Sequence, residues 1–169
     1  DKLGGQLNVA KQIPGKEEFW GLVDWYEVMI ADLGIDVKLN TEASANSLAG
    51  YDEVIIATGI MPRDPGIPGQ DRPEVLSYLD VLRDKKPVGE KVAVIGAGGI
   101  GFDVSEFLVH EGESLTENLP EWMVEWGVSD PETHRGGLAP EGPQPHEAAR
   151  QVTLMQRKAK ALGKGLGKT

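Results

Sequence analysis

KVAVIGAGGIGFDVSEFL, residues 91–108, decides how this chain is read. Val92 to Ile95 is a short apolar run of the length and composition of a buried strand. It enters Gly96-Ala97-Gly98-Gly99-Ile100-Gly101 directly, and Phe102, Val104, Phe107 and Leu108 then recur at helical spacing. A strand, a G-x-G-x-x-G turn and a helix in that order form the opening of a dinucleotide-binding unit. The first glycine permits the tight turn, the second lets backbone approach a pyrophosphate, and the third lets helix and strand pack closely. The helix start adds free N–H groups and a positive dipole end, which favour phosphate. The competing reading is a purely structural strand-to-helix turn. The fold class that follows is α/β, a Rossmann-like three-layer nucleotide-binding fold.

Downstream, the unit asks for a second strand with an acid about twenty residues after the glycines, to hold a ribose 2′-hydroxyl. Glu121 stands at that count, but inside residues 112–147, an irregular insertion with five prolines and eight acids. Leu119, Trp122, Met123 and Trp126 predict a short packed helical stretch within it, since disordered segments are poor in aromatics. The next strand is predicted over 151–156 and runs into Arg157 and Lys158. A basic pair there suits the 2′-phosphate of NADP better than the 2′-hydroxyl of NAD. Its bland alternative is a pair of solvated surface charges. Gly165-Leu166-Gly167-Lys168-Thr169 resembles the end of a P-loop, but Leu162 stands where that motif needs glycine.

Upstream, residues 60–74 hold Pro62, Pro65, Pro68 and Pro73 with Gly66 and Gly69, a stiff stretch that marks the expected domain boundary. The expected parts are 1–74 and 75–169, with the insertion at about 112–147. A helix is predicted over 17–33, a short strand over 35–39, a buried strand over 51–58 ending at Ala57-Thr58-Gly59, and a short helix over 75–82. Gly4-Gly5-Gln6 reads as a loop that allows a ligand close to the backbone. Lys16, in a proline–glycine turn, suits either helix entry or contact with an anion.

The composition excludes several classes. The 169 residues contain no cysteine, so this chain offers no disulfide, iron–sulfur ligand or thiol nucleophile. His110, His134 and His146 lack metal-ligand spacing, and no metal site is expected. No nucleophile–base constellation stands out, so chemistry is expected from cofactors, not from catalytic side chains. No apolar run approaches membrane length and no signal-peptide pattern opens the sequence, which predicts a cytoplasmic protein. The formal charge is −10, but residues 150–169 contain six bases and no acid. The acidic bulk argues against a nucleic-acid partner, while the basic tail can receive a small anion or remain a solvated terminus.

Together, GGQLNVAKQIPGKEEF, ATGIMPR, VLSYLDVL, KVAVIGAGGIGFDVSEFL and QRKAKALGKGLGKT closely resemble the C-terminal region of bacterial NADPH-dependent 2,4-dienoyl-CoA reductases. That group of flavin oxidoreductases includes trimethylamine dehydrogenase. The resemblance implies a TIM barrel carrying FMN, an iron–sulfur cluster and the enoyl-CoA site, followed by FAD and NADPH domains. In that scheme Gly4, Gly5 and Gln6 lie along FAD, Lys16 approaches its pyrophosphate or ribose, and the strand around Ala43 meets the adenine. Ala57, Thr58 and Gly59 mark the return to the NADPH domain. Gly96, Ala97, Gly98, Gly99, Ile100 and Gly101 hold the NADPH pyrophosphate, and Arg157 and Lys158 its 2′-phosphate.

The barrel, the cluster cysteines and the FAD domain's own glycine fingerprint are not in this sequence. The resemblance therefore implies parts of two dinucleotide-binding domains, expected to be catalytically silent alone and to act with the barrel and fingerprint segments of a parent protein. That parent would reduce 2,4-dienoyl-CoA during β-oxidation of unsaturated fatty acids. The rival readings are a non-catalytic nucleotide-binding or interaction module and the amine dehydrogenase branch of the same group. The basic pair speaks against the latter.

Overall fold

A computed structural model describes residues 2–159, 161–163 and 166. Lys160, Lys164 and Lys168 of the basic tail, and most of the P-loop look-alike, lie outside the described residues. The elements are α1 (Leu7–Ala10), α2 (Glu18–Asp32), α3 (Tyr78–Leu82), β1 (Lys91–Ile95), α4 (Gly99–Val109), α5 (Leu119–Trp126) and β2 (Gln151–Met155). None of the described helices is long and apolar enough to cross a membrane.

β1 and β2 pair in parallel, in register from Lys91 with Gln151 to Ile95 with Met155. Parallel strands need a crossover, and α4 with the insertion supplies it. Side chains alternate across the pleat. Val92, Val94, Val152 and Leu154 turn toward α4 and are half-buried, while Lys91, Ala93, Ile95, Gln151, Thr153 and Met155 are exposed on the other face. Val104 and Leu108 of α4 meet Val81 and Leu82 of α3 in the core, and Leu108 is only 2% exposed. α3 starts at Ser77, whose hydroxyl accepts from the Asp80 N–H while Asp80 accepts from the Ser77 N–H, a reciprocal cap.

Val9 and Ile13 belong to the same core. The boundary expected near residue 74 therefore divides two stretches of sequence that share one apolar interior.

The insertion is irregular but knitted. Asn118 caps α5, and Gly127, in the left-handed conformation at φ 64°, ends it. Val128 and Leu138 form an antiparallel bridge, and Gln144 N–H donates to Val124 O at 3.2 Å. Its far end returns to α4 through Ala149 N–H to Val109 O (2.9 Å) and the Arg150 guanidinium to Leu108 O (3.1 Å).

Two predicted strands are absent. Residues 35–39 and 51–58 are irregular, and Ile55 and Ile56 are 89% and 84% exposed. A strand exists only where a neighbour completes its hydrogen-bond ladder. Among the described residues, no segment pairs with either stretch, and backbone hydrogen bonds from residue 36 to 75 reach only a few positions along the chain.

Candidate dinucleotide site

The GAGGIG loop leaves the carboxyl end of β1 and starts α4. Gly96 adopts φ 122°, a left-handed-side conformation open to glycine, and its N–H donates to Met155 O at 2.9 Å. This bond ties the loop to the end of β2. A Cβ on Gly101 would overlap the carbonyl oxygen of Gly96, so the third glycine lets the helix close onto the turn. A Cβ on Gly98 would meet open space. Gly98 caps α4 without a side chain, so no capping group occupies the first N–H donors of the helix. Gly96, Gly98, Gly99 and Ile100 are exposed and Ala97 is half-buried. An uncapped, glycine-built helix start with an open approach fits a pyrophosphate.

Arg157 and Lys158 follow β2 in an exposed bend. Because Ile95 and Met155 are in register, that bend leaves the same edge of the sheet as the glycine loop. The parallel pairing thus brings the two basic residues and the glycine loop to one end of the strands, where open α/β sheets take ligands. Leu166 lies beside the glycine loop: an added Cβ on Gly99 would lie 3.9 Å from its side chain.

Residues 27–168 match the pyridine nucleotide-disulphide oxidoreductase family. The chain belongs to this family. Its fold is accordingly the Rossmann-like α/β dinucleotide-binding fold. Cinnamate reductase of Clostridium sporogenes is 42% identical over 117 residues, 68% of this chain and 17% of that protein. A metal reductase of Desulforamulus reducens is 26% identical over an alignment 173 positions long with its gaps, 99% of this chain and 25% of that protein. NADH oxidase of Thermoanaerobacter brockii is 35% identical over 120 residues, 68% of this chain and 18% of that protein. A solved 2-naphthoyl-CoA reductase complex with 2-naphthoyl-CoA superposes with a TM-score of 0.59 at 25% identity, covering 99% of this chain and 30% of that one. The chain spans 17% to 25% of the length of these curated relatives.

The family's other cofactor is less well framed by the described residues. Gly4 and Gly5 form a turn before α1, and Gln6 caps that helix without a side-chain bond. A Cβ on Gly4 would come within 2.7 Å of the Asn8 side-chain nitrogen. An open groove of about 510 Å³ lies beside this turn, lined by residues including Leu3, Ile30, Ile35 and Val37. Ala43, Ala57, Thr58 and Gly59 sit in exposed, irregular chain, and no hydrogen bond joins them to residues 4–6 among the described residues. The strand expected around Ala43 is absent, for the same want of a pairing neighbour. These residues do not converge into a cradle.

Lys16 stands at the entry to α2, where its carbonyl accepts from the Phe19 N–H at 3.2 Å. Its ammonium pairs with Asp103 of α4 at 2.6 Å. Next to it, the Gly15 N–H donates to Glu17 (2.9 Å) and Ser114 (3.3 Å), and the Thr116 hydroxyl donates to Glu17 at 2.6 Å. Burial pushes the Glu17 carboxyl up, but hydrogen bonds from Ser114, Thr116 and Gly15 outweigh it and hold the group at about 2. Asp103 was not singled out from sequence. The available signal was a carboxylate two residues beyond the third glycine, early in the helix that the glycine turn opens. His134 contacts the Ser129 hydroxyl at 2.7 Å, and no group of candidate metal ligands occurs among the described residues.

Proposed function

We propose that this chain is the cofactor-binding part of an NADPH-dependent reductase of conjugated enoyl thioesters, with 2,4-dienoyl-CoA as the substrate of the parent enzyme. The observation that carries the NADPH assignment is the shared edge of the GAGGIG loop and Arg157-Lys158. The N–H groups at the start of α4 hold the pyrophosphate, and the basic pair neutralises the additional 2′-phosphate. Nicotinamide supplies a hydride and flavin accepts it, chemistry that belongs to the cofactors. Relatives named for cinnamate and for 2-naphthoyl-CoA support a conjugated acid or thioester as the substrate class.

In this reading residues 1–74 belong to the FAD domain and residues 75–169 to the NADPH domain. FMN, the iron–sulfur cluster and the enoyl-CoA site reside in a barrel supplied by the rest of the parent, and the whole acts in the cytoplasm. The chain by itself binds nucleotide without turning over substrate.

The test is titration with NADPH and NADH. Arg157→Ala should weaken NADPH by at least about tenfold, the order of one charge-assisted contact, while NADH changes by less than about twofold. Equal weakening of both would overturn the 2′-phosphate role.

A further inference from the structure

Asp103 poses an electrostatic problem for the cradle. It lies four residues beyond Gly99, about 6 Å along a helix axis, and side chains on a helix lean toward its N-terminus. The carboxylate stands just past the first turn of α4, and it repels a pyrophosphate arriving at that end. Neither the first nor the last turn of α4 carries a compensating cation. The cation comes from 87 residues away: Lys16 reaches Asp103 at 2.6 Å, with both side chains about one-third exposed. The turn that carries Lys16 is held in place by Ser114 and Thr116 through Gly15 and Glu17.

We propose that Lys16 is a positioning residue for nicotinamide dinucleotide binding, acting by neutralising Asp103 beneath the phosphate cradle. It touches the ligand's charge only through the carboxylate it masks. The inference rests on the glycine loop taking a nicotinamide dinucleotide, and it adds a residue from the N-terminal segment to that site. It makes an asymmetric forecast. Removing the lysine exposes a negative charge, whereas removing the aspartate leaves a free positive one. A plain structural tether would instead suffer equally from either loss.

The experiment is fluorescence titration of NADPH and NADH at low salt on the whole chain, with circular dichroism to verify folding. Four proteins are compared: native, Lys16→Met, Asp103→Asn and the double variant. A phosphate beyond the helix end stands on the order of 9 Å from the carboxylate, so at an effective permittivity of about 20–40 Lys16→Met should weaken both nucleotides about five- to twentyfold. Asp103→Asn should bind as well as native or better, and the double variant should return to native affinity. The loss in Lys16→Met should shrink as salt rises. Equal losses in Lys16→Met and Asp103→Asn, or no loss in Lys16→Met, would overturn the proposal while leaving the glycine-loop site standing. Absence of binding by the native chain would overturn both.

Discussion

A methyl group on Gly101 would have to occupy the space of the Gly96 carbonyl oxygen. Gly101→Ala must therefore push α4 away from β1 or reopen the turn, and either change disperses the N–H donors at the start of α4. The expected outcome is a loss of NADPH affinity of about tenfold or more, with a melting temperature lower by several degrees, read by titration and thermal denaturation. Gly98→Ala should spare stability, because its added carbon points into open space. At the residue scale the tight turn was legible in the glycines. Glycine spacing is a local property, and the steric demand it encodes is met within six consecutive positions. The partner of Lys16 was beyond such reading. A proline–glycine turn indicates that a lysine is presented, but the identity of an acid 87 residues away depends on how helices dock.

Among the elements, the turn at residues 14–17 is clasped to the turn at 114–116 through Glu17. The folded carboxyl sits at about 2 against an ordinary value of 4.5, so the carboxylate form is the one the fold prefers. Its stabilising contribution is present above about pH 4.5 and is lost as pH falls from there toward 2. Glu17→Gln should lower the melting temperature by a few degrees at neutral pH and make little difference near pH 2. Melting curves across that interval check the sign, and a penalty independent of pH would refute the clasp. Elements also show where local pattern fails. β1, α4 and β2 were legible because apolar run, glycine turn and helical spacing follow one another and the pairing strand lies in the same unit. Residues 35–39 and 51–58 carry equally good strand patterns, with Val54-Ile55-Ile56 as apolar as Val92-Ala93-Val94. What they lack is a neighbour to bond to, and that is a property of the surroundings.

For the whole molecule, the decisive fact is a core that draws Val9 and Ile13 together with Val81, Leu82, Val104 and Leu108. Proline content near residue 74 marks where the chain is stiff, and composition does not report which side chains meet across such a stretch. Ile13 is 3% exposed. Ile13→Ala should cost about 2–4 kcal/mol and destabilise α3 and α4 along with the N-terminal segment. Chemical denaturation followed by far-ultraviolet circular dichroism and by tryptophan fluorescence, from Trp20 and Trp25 on α2 and Trp122 and Trp126 on α5, should give coincident curves that shift together. Two separated transitions, only one of them moved by Ile13→Ala, would show that the halves melt independently.

The parallel pairing of Lys91 with Gln151 also governs the order of assembly. β2 can dock only after the chain closes a span of sixty residues, and contacts of such separation slow folding because the closure entropy precedes any gain. The insertion makes up most of that span. Its bridge between Val128 and Leu138, its bond from Gln144 to Val124 and its anchors at Val109 and Leu108 draw a long excursion into a nearly closed knot against the end of α4. The chain that becomes the second strand therefore starts from a point bonded to the end of α4.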